Sequence, residues 1–553
     1  SSTDKFLEQS TLFASPKHLL LNPKFIIGGV SLITAMNSFK KILSAYGVEI
    51  TSFGAGLPDH ARPQPLSDVL QKIYLGKSFY PKYAKTEANS AIDFEEPPLK
   101  KRLAKFHAKE FGTQINPQNI IITAGSTPVL ETMIKLTMDP TKNNVALTIT
   151  PEYPNGVASV PKYNGTVDRT ARFIPVINST KEQYDKNGVP ANRWQIDRAS
   201  VIKALDNNRS KATYFYLNFP GNPTGYSPTA DEYKKFAVIL LKDIYCRRQQ
   251  DLPPIAILED IAYATMMHND RKYYSMQNAI DDLKSEYKNN ILVKSLLRDL
   301  ENSLVTTHSF SKAFAIPGER FAYTTSKNQE LLGNLNKAYL SETLTNGLLT
   351  IAAGVGAMDT GSVNKQAMQK YHDRLRFLEG GLNNINGLNN PITAQADAGF
   401  FTLANFKALH GKKLDRQTLN KIIDDVNKIE DSGQKQLLLK DAFKNGRINN
   451  AKDLSLWLLS VAKIETIPIN SYKLQPSDLY VRLSVGQVTI KDINKALNNL
   501  QKAVDNLLGV NKENILPREI NINRVRFVDT VAPNKIGFAC QCGSCPSAHG
   551  VTR

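Results

Sequence analysis

The sequence predicts an α/β fold built on a mainly parallel sheet, and two observations carry that expectation. Between about residues 99 and 325, short β-rich runs alternate with helix-like segments, the order that βαβ units require. Most of the segments suited to chemistry then fall at the C-terminal ends of those runs, the edge where open α/β sheets bind ligands.

The elements follow in order. An apolar stretch at residues 25–36 is well short of a bilayer span and reads as a buried element. Candidate strands are residues 120–123, 145–150, 213–218, 255–258, 304–308 and 321–325. Between them, residues 127–138 and 229–247 have helical character, the second opened by Ser227 as N-cap with Pro228 at the first position. After Lys337 the composition turns helical, and residues 399–404 form a strand-like run. The charged, Asn/Lys-rich stretch 407–453 reads as an insertion within a smaller domain, followed by a strand at 479–484 and a helix at 490–508. The expected division is an N-terminal arm with part of the small domain (1–60), a large domain (61–345), a small domain (346–509) and an appendage (510–553).

Composition narrows the class. A chain of 553 residues exceeds one ordinary core and implies two or more domains. Hydrophobic residues at 41% and charged residues at 22% match soluble globular averages, which argues against membrane and disordered classes. The net charge of +18 is spread among acidic residues, as in Asp231-Glu232-Tyr233-Lys234-Lys235, and no nucleic-acid-binding motif accompanies it. No nucleic acid and no membrane is expected as a partner. Cys246 stands alone in the main body, so no disulfide framework is read, and a cytoplasmic location is the default. The sequons at Asn164, Asn178 and Asn208 read as chance in an Asn-rich chain. The sequence opens at Ser1 without a methionine, which leaves room for a processed leader.

Five segments carry chemistry. Ser309-Phe310-Ser311-Lys312 is followed, beyond the Pro317-Gly318 turn, by Arg320. A lysine just past a buried strand can be desolvated, which lowers its pKa and makes its amine available for a carbonyl partner. An arginine beyond such a turn can fold back onto a phosphate through its planar fork. Asn218-Phe219-Pro220-Gly221-Asn222-Pro223-Thr224-Gly225 brings the Asn222 amide to the same edge. In Ile257-Leu258-Glu259-Asp260-Ile261-Ala262-Tyr263 an apolar strand delivers a carboxylate, with a phenol close behind. Such a carboxylate caps a helix, or keeps a pyridine nitrogen protonated. Thr123-Ala124-Gly125-Ser126-Thr127-Pro128 is a small-residue turn into a helix N-terminus, which suits a phosphate. Tyr480-Val481-Arg482-Leu483-Ser484 places an arginine on a late strand, suited to bidentate carboxylate binding. Each piece alone has a plain reading as a turn, a cap or an edge charge.

Together, in order and spacing, these segments resemble the fold-type I pyridoxal-5′-phosphate (PLP) aminotransferases of class I/II, over roughly residues 50–505. The resemblance implies a large domain with a mainly parallel seven-stranded sheet plus a smaller α/β domain. It implies PLP as cofactor and transfer of an amino group between an α-amino acid and a 2-oxo acid. By position, it makes Lys312 the lysine that holds PLP as a Schiff base and later carries the proton. Asp260 would pair with the pyridinium nitrogen, and Asn222 and Tyr263 with the ring's phenolic oxygen. Ser126, Thr127, Ser309 and Arg320 would hold the phosphate. Tyr153, in Pro151-Glu152-Tyr153-Pro154, would stack on the ring, and Arg482 would grip the substrate α-carboxylate. Gly54 and Gly56 resemble the glycine segment lining the substrate pocket. Tyr83 resembles the tyrosine that reaches the neighbouring subunit's phosphate in a homodimer. Ala322 departs from the pattern, standing where many relatives carry glycine.

Rival readings have their own signatures. Elimination, decarboxylation and cyclisation share the same electron sink, so the residues mark the cofactor better than the bond broken. A PLP-domain regulator would carry a DNA-binding module, and none is recognisable at the N-terminus. Arg62 is the one candidate for a second substrate cation. Cys540, Cys542, Cys545 and His549 are the ligand types of a zinc site. Only one hook is present, and the glycine-rich context reads as a flexible terminus, so no metal is expected.

Overall fold

The computed structural model describes residues 31–75, 99–178, 184–343, 346–361 and 363–509. Tyr83 and the Cys540, Cys542, Cys545 and His549 set lie outside the described residues. The chain enters through helix α1 (Leu32–Ala45) and the short strand β1 (Thr51–Ser52). Ser31 caps α1 by accepting a hydrogen bond from the Thr34 N–H. The apolar stretch expected to be buried is instead amphipathic where it is described. Ala35, Met36, Phe39 and Leu43 are buried, while Ile33 remains 38% exposed. Helical spacing accounts for the contrast with Ala35, which two residues on from Ile33 projects from a different face.

A seven-stranded sheet follows. Its strands are β2 (Ile120–Thr123), β3 (Asn144–Thr148), β4 (Gly165–Asp168), β7 (Ala212–Asn218), β8 (Ala256–Asp260), β9 (Leu304–Ser309) and β10 (Ala322–Thr325). The intervening β5 (Phe173–Val176) and β6 (Arg193–Ile196) pair separately as an antiparallel hairpin. The order across the large sheet is β2-β10-β9-β8-β7-β3-β4. Only β10 runs antiparallel to its neighbours. Six strands coincide with the runs expected from sequence, within two residues at each end. Edge strand β4 was not expected, since Gly-Thr-Val-Asp has neither the length nor the apolar character of a buried strand. Helix α2 (Thr127–Thr137) leaves β2, and α3 (Ala230–Gln249) follows β7. The N-cap of α3 is Thr229, not Ser227. Thr229 and Glu232 form a reciprocal capping box, and the Ser227 N–H is drawn instead to the buried Asp397 carboxylate at 3.0 Å.

Beyond the large sheet lies a three-stranded sheet of β11 (Phe401–Asn405), β14 (Tyr480–Ser484) and β13 (Ile467–Pro468). The charged stretch 407–453 contains helices α4 (Arg416–Asn427) and α5 (Ser432–Leu439). Their Ile422, Val426 and Leu438 join one apolar core with Ala35, Met36, Phe39 and Leu43 of α1. Each fully buried side chain of Leu or Phe size there stabilises by roughly 1.5–3 kcal/mol. Strand β12 (Ile464–Glu465) pairs in parallel with β1, placing Ser52 opposite Glu465.

The strand that leads to Lys312 carries a test of this packing. His308, on β9, is ringed by Phe106, Phe111, Phe310 and Tyr323, and neither of its ring nitrogens has a partner. Burial pushes its pKa down to about 3. In the unfolded chain this imidazole takes a proton near its ordinary value, so its contribution is complete above about pH 6.5 and is lost as pH falls toward 3. Removing that titration in His308→Phe should flatten the dependence of unfolding free energy on pH, by about 1.4 kcal/mol per pH unit between roughly pH 4 and 6. Urea unfolding of both proteins across that range measures it. Parallel pH profiles would show that the imidazole is not held neutral.

Candidate active site

The C-terminal ends of β2, β7, β8 and β9 and the strand β14 converge on one cavity of about 460 Å³. Its lining includes Gly54, Gly56, Ser126, Thr127, Tyr153, Asn222, Asp260, Tyr263, Ser309, Lys312, Arg320 and Arg482. Every described site residue singled out by sequence therefore borders one space. Arg62 does not; it lies outside this lining, and its Nη2 forms an ion pair with Glu319 at 2.5 Å. The sequence reading missed Ile33 and Asn37, which border the cavity from α1. Their four-residue spacing puts them on one helical face, the only signal available without the fold.

The electrostatics begin with Asp260, at the end of β8 and 2% exposed. Its Oδ2 accepts a hydrogen bond from the Tyr216 hydroxyl at 2.9 Å, whereas Oδ1 is buried with no partner. Burial raises its pKa to about 6, against the lowering effect of hydrogen bonds from Tyr216 and the Ala262 N–H. Lys312 donates to the Gly56 carbonyl at 2.7 Å. Burial pulls its pKa down to about 8, and the nearby Arg482 and Arg320 charges add to the effect. Tyr153 is shifted upward, first by burial and then by the Asp260 carboxylate.

Two arginine-bearing corners flank these groups. At the first, Gly125 adopts φ +84°, and a side chain there would run into the Arg320 guanidinium. Ser126 is the N-cap of α2, yet its hydroxyl makes no capping bond. Ser309 donates to the Ser311 hydroxyl at 3.0 Å, and Arg320 donates to the Pro317 carbonyl at 3.0 Å. At the second corner, Arg482 is buried, 8% exposed, and lies over the Phe401 ring at 4.6 Å. Its Nη1 donates to Asn222 Oδ1 at 3.1 Å and its Nη2 to the Gly54 carbonyl at 2.7 Å.

The sequence pattern of the family described as aminotransferase class I and II matches residues 48–500. The chain belongs to that family. Among curated relatives of this chain, transaminase BacF of Bacillus subtilis (strain 168) is 25% identical over 303 residues. That match covers 54% of this chain and 61% of BacF, so the chain spans less than two thirds of BacF's length. Aspartate aminotransferase of Rhizobium meliloti (strain 1021) is 21% identical over 87% of this chain and 95% of its own. The crystal structure of the aspartate aminotransferase from Rhizobium meliloti superposes with a TM-score of 0.64, at 19% identity. It covers 88% of this chain and 99% of that one, a likeness of fold.

Members of this family use pyridoxal phosphate, and the donor set fits that group. The unpartnered Asp260 oxygen suits a protonated ring nitrogen, because a buried carboxylate is costly without such a partner. Arg320, the open N-terminus of α2 and the Ser126 hydroxyl suit a phosphate. A lysine with a pKa near 8 suits a carbonyl.

Proposed function

We propose that this protein moves an amino group between an α-amino acid and a 2-oxo acid, with pyridoxal phosphate as cofactor. The observation that carries the reading is the meeting, in one cavity, of an easily deprotonated lysine, a buried carboxylate and a buried arginine. When bound, pyridoxal phosphate supplies a carbonyl for the amino group and an electron-withdrawing ring.

The chain's own residues do the rest. Arg482 binds the substrate α-carboxylate, while Asn222 and the Gly54 carbonyl hold its fork in orientation. The unprotonated Lys312 Nζ takes the proton from the substrate Cα. Asp260 would hold a proton on the ring nitrogen, and Tyr153 would cover the ring. Asn222 and Tyr263 would orient the phenolic oxygen. Ser126, Thr127, Ser309 and Arg320 would fix the phosphate. Family resemblance further supports a homodimer to which Tyr83 contributes across the interface. A cytoplasmic location agrees with the absence, among the described residues, of any helix long and apolar enough to cross a membrane. The positions of the two main sheets support large and small domains meeting near residue 346.

The test is the absorbance of the cofactor-loaded protein against a panel of amino acids, with 2-oxo acid and ammonia measured together. A spectral change with 2-oxo acid formed and no ammonia supports transfer; stoichiometric ammonia would point to elimination and sink it. Arg482→Ala should chiefly weaken amino-acid binding, by roughly the 2–5 kcal/mol lost when one partner of a buried charge pair is removed. Steady-state kinetics should show the loss in KM while the cofactor absorbance stays unchanged. An unaltered KM would remove Arg482 from the carboxylate site.

A further inference from the structure

Behind the carboxylate corner lies a buried acid that the reaction does not use. Glu465, on β12, is 0% exposed. Its Oε2 accepts from Lys40 of α1 at 2.8 Å and from the Ser52 hydroxyl, while Oε1 is buried with no partner. The carboxylate presses directly on Gly54: a Cβ at Gly54 would sit 2.7 Å from Glu465 Cδ. Gly54 in turn presents the carbonyl that holds Arg482 Nη2 at 2.7 Å. Lys40 follows Ile33 and Asn37 on α1 at a spacing that keeps all three on one helical side. One ion pair thus ties the wall of the cavity to the turn that carries the arginine's acceptor.

We propose that Glu465 is a positioning residue of the substrate-carboxylate site, acting through Gly54 and Lys40 to keep the Arg482 fork in place. This inference rests on the aminotransferase reading. Burial disfavours the charged guanidinium of Arg482, and Tyr263, Tyr153 and Glu465 are the groups that offset it. Glu465 is the only carboxylate among them. Its partner Lys40 compensates the charge locally, so the acid steadies the guanidinium without repelling an incoming carboxylate at full strength.

The test uses the cofactor-loaded protein, with propionate as a competitive probe of the carboxylate site alone. Glu465→Gln keeps the side chain's shape and removes its charge. It should raise both the amino-acid KM and the propionate inhibition constant by about tenfold, within the range of couplings between contacting groups. The turnover number at saturation and the cofactor absorbance should hold. Glu465→Asp, which keeps the charge, should recover part of the binding, and Lys40→Met should lose it. A fall in turnover number with unchanged KM would mark a role in general folding and overturn the proposal. If the parent binds propionate and Glu465→Gln binds it equally well, this inference alone fails. If the parent neither binds propionate nor converts any amino acid, the functional reading fails with it.

Discussion

Lys312→Ala should abolish turnover, by about 10⁴-fold or more, since a positioned proton carrier alone contributes roughly 10²–10⁴. On the proposed roles, the substitution removes the amine that would hold the cofactor as well as the base that would move the Cα proton. Borohydride treatment of the parent followed by peptide mapping should place the reduced pyridoxyl group on Lys312. A label on another lysine would sink the assignment. Because burial and two arginines bring the Lys312 amine down to about 8, its reactive unprotonated fraction rises as pH passes that value. An ordinary exposed lysine stays protonated there. Cofactor capture by cofactor-free protein should therefore accelerate with pH around a midpoint near 8. A midpoint above 10 would show an amine far more solvated than the cavity implies.

Asp260→Ala should leave a coloured protein whose Cα-proton exchange, followed in deuterium oxide, drops by roughly 10²–10⁴. That range corresponds to the 3–5 kcal/mol typical of breaking a buried charge pair. Tyr216→Phe should have the same direction and a smaller size, because it removes one of two hydrogen bonds that favour the ionised Asp260. Exchange at the parent rate in Asp260→Ala would show that the carboxylate does not reach the ring. Loss of substrate binding equal to that of Arg482→Ala would erase the separation between cofactor electronics and carboxylate recognition.

Much of the candidate site was legible because its information is local. The strand ends at Asn218, Asp260 and Ser309 can be read from short apolar runs broken by turn residues. In a parallel sheet, those ends share one edge whatever the details of packing. Other elements defeated the reading for physical reasons. Edge strand β4 is held by pairing to β3, not by apolar pattern, so it left no trace in hydrophobicity. The cap of α3 lies at Thr229, which forms a reciprocal box with Glu232, while Asp397, far along the chain, claims the Ser227 N–H. The pairing of Arg62 with Glu319 could not be read either, because the two are distant in sequence.

By itself, the sequence determined the α/β class, the chemistry-bearing turns and the family resemblance, since each depends on residue types within a few positions of one another. A depressed lysine was already an expectation of the sequence, but the tertiary structure decided which distant segments bury these groups. The amine of Lys312 is depressed, and one oxygen of Asp260 is left unpartnered, by burial under segments far away in the chain. The contact between Lys40 and Glu465 joins residues 425 positions apart. Desolvation and ion pairing act through space, and no local pattern records which distant side chain will fill that space.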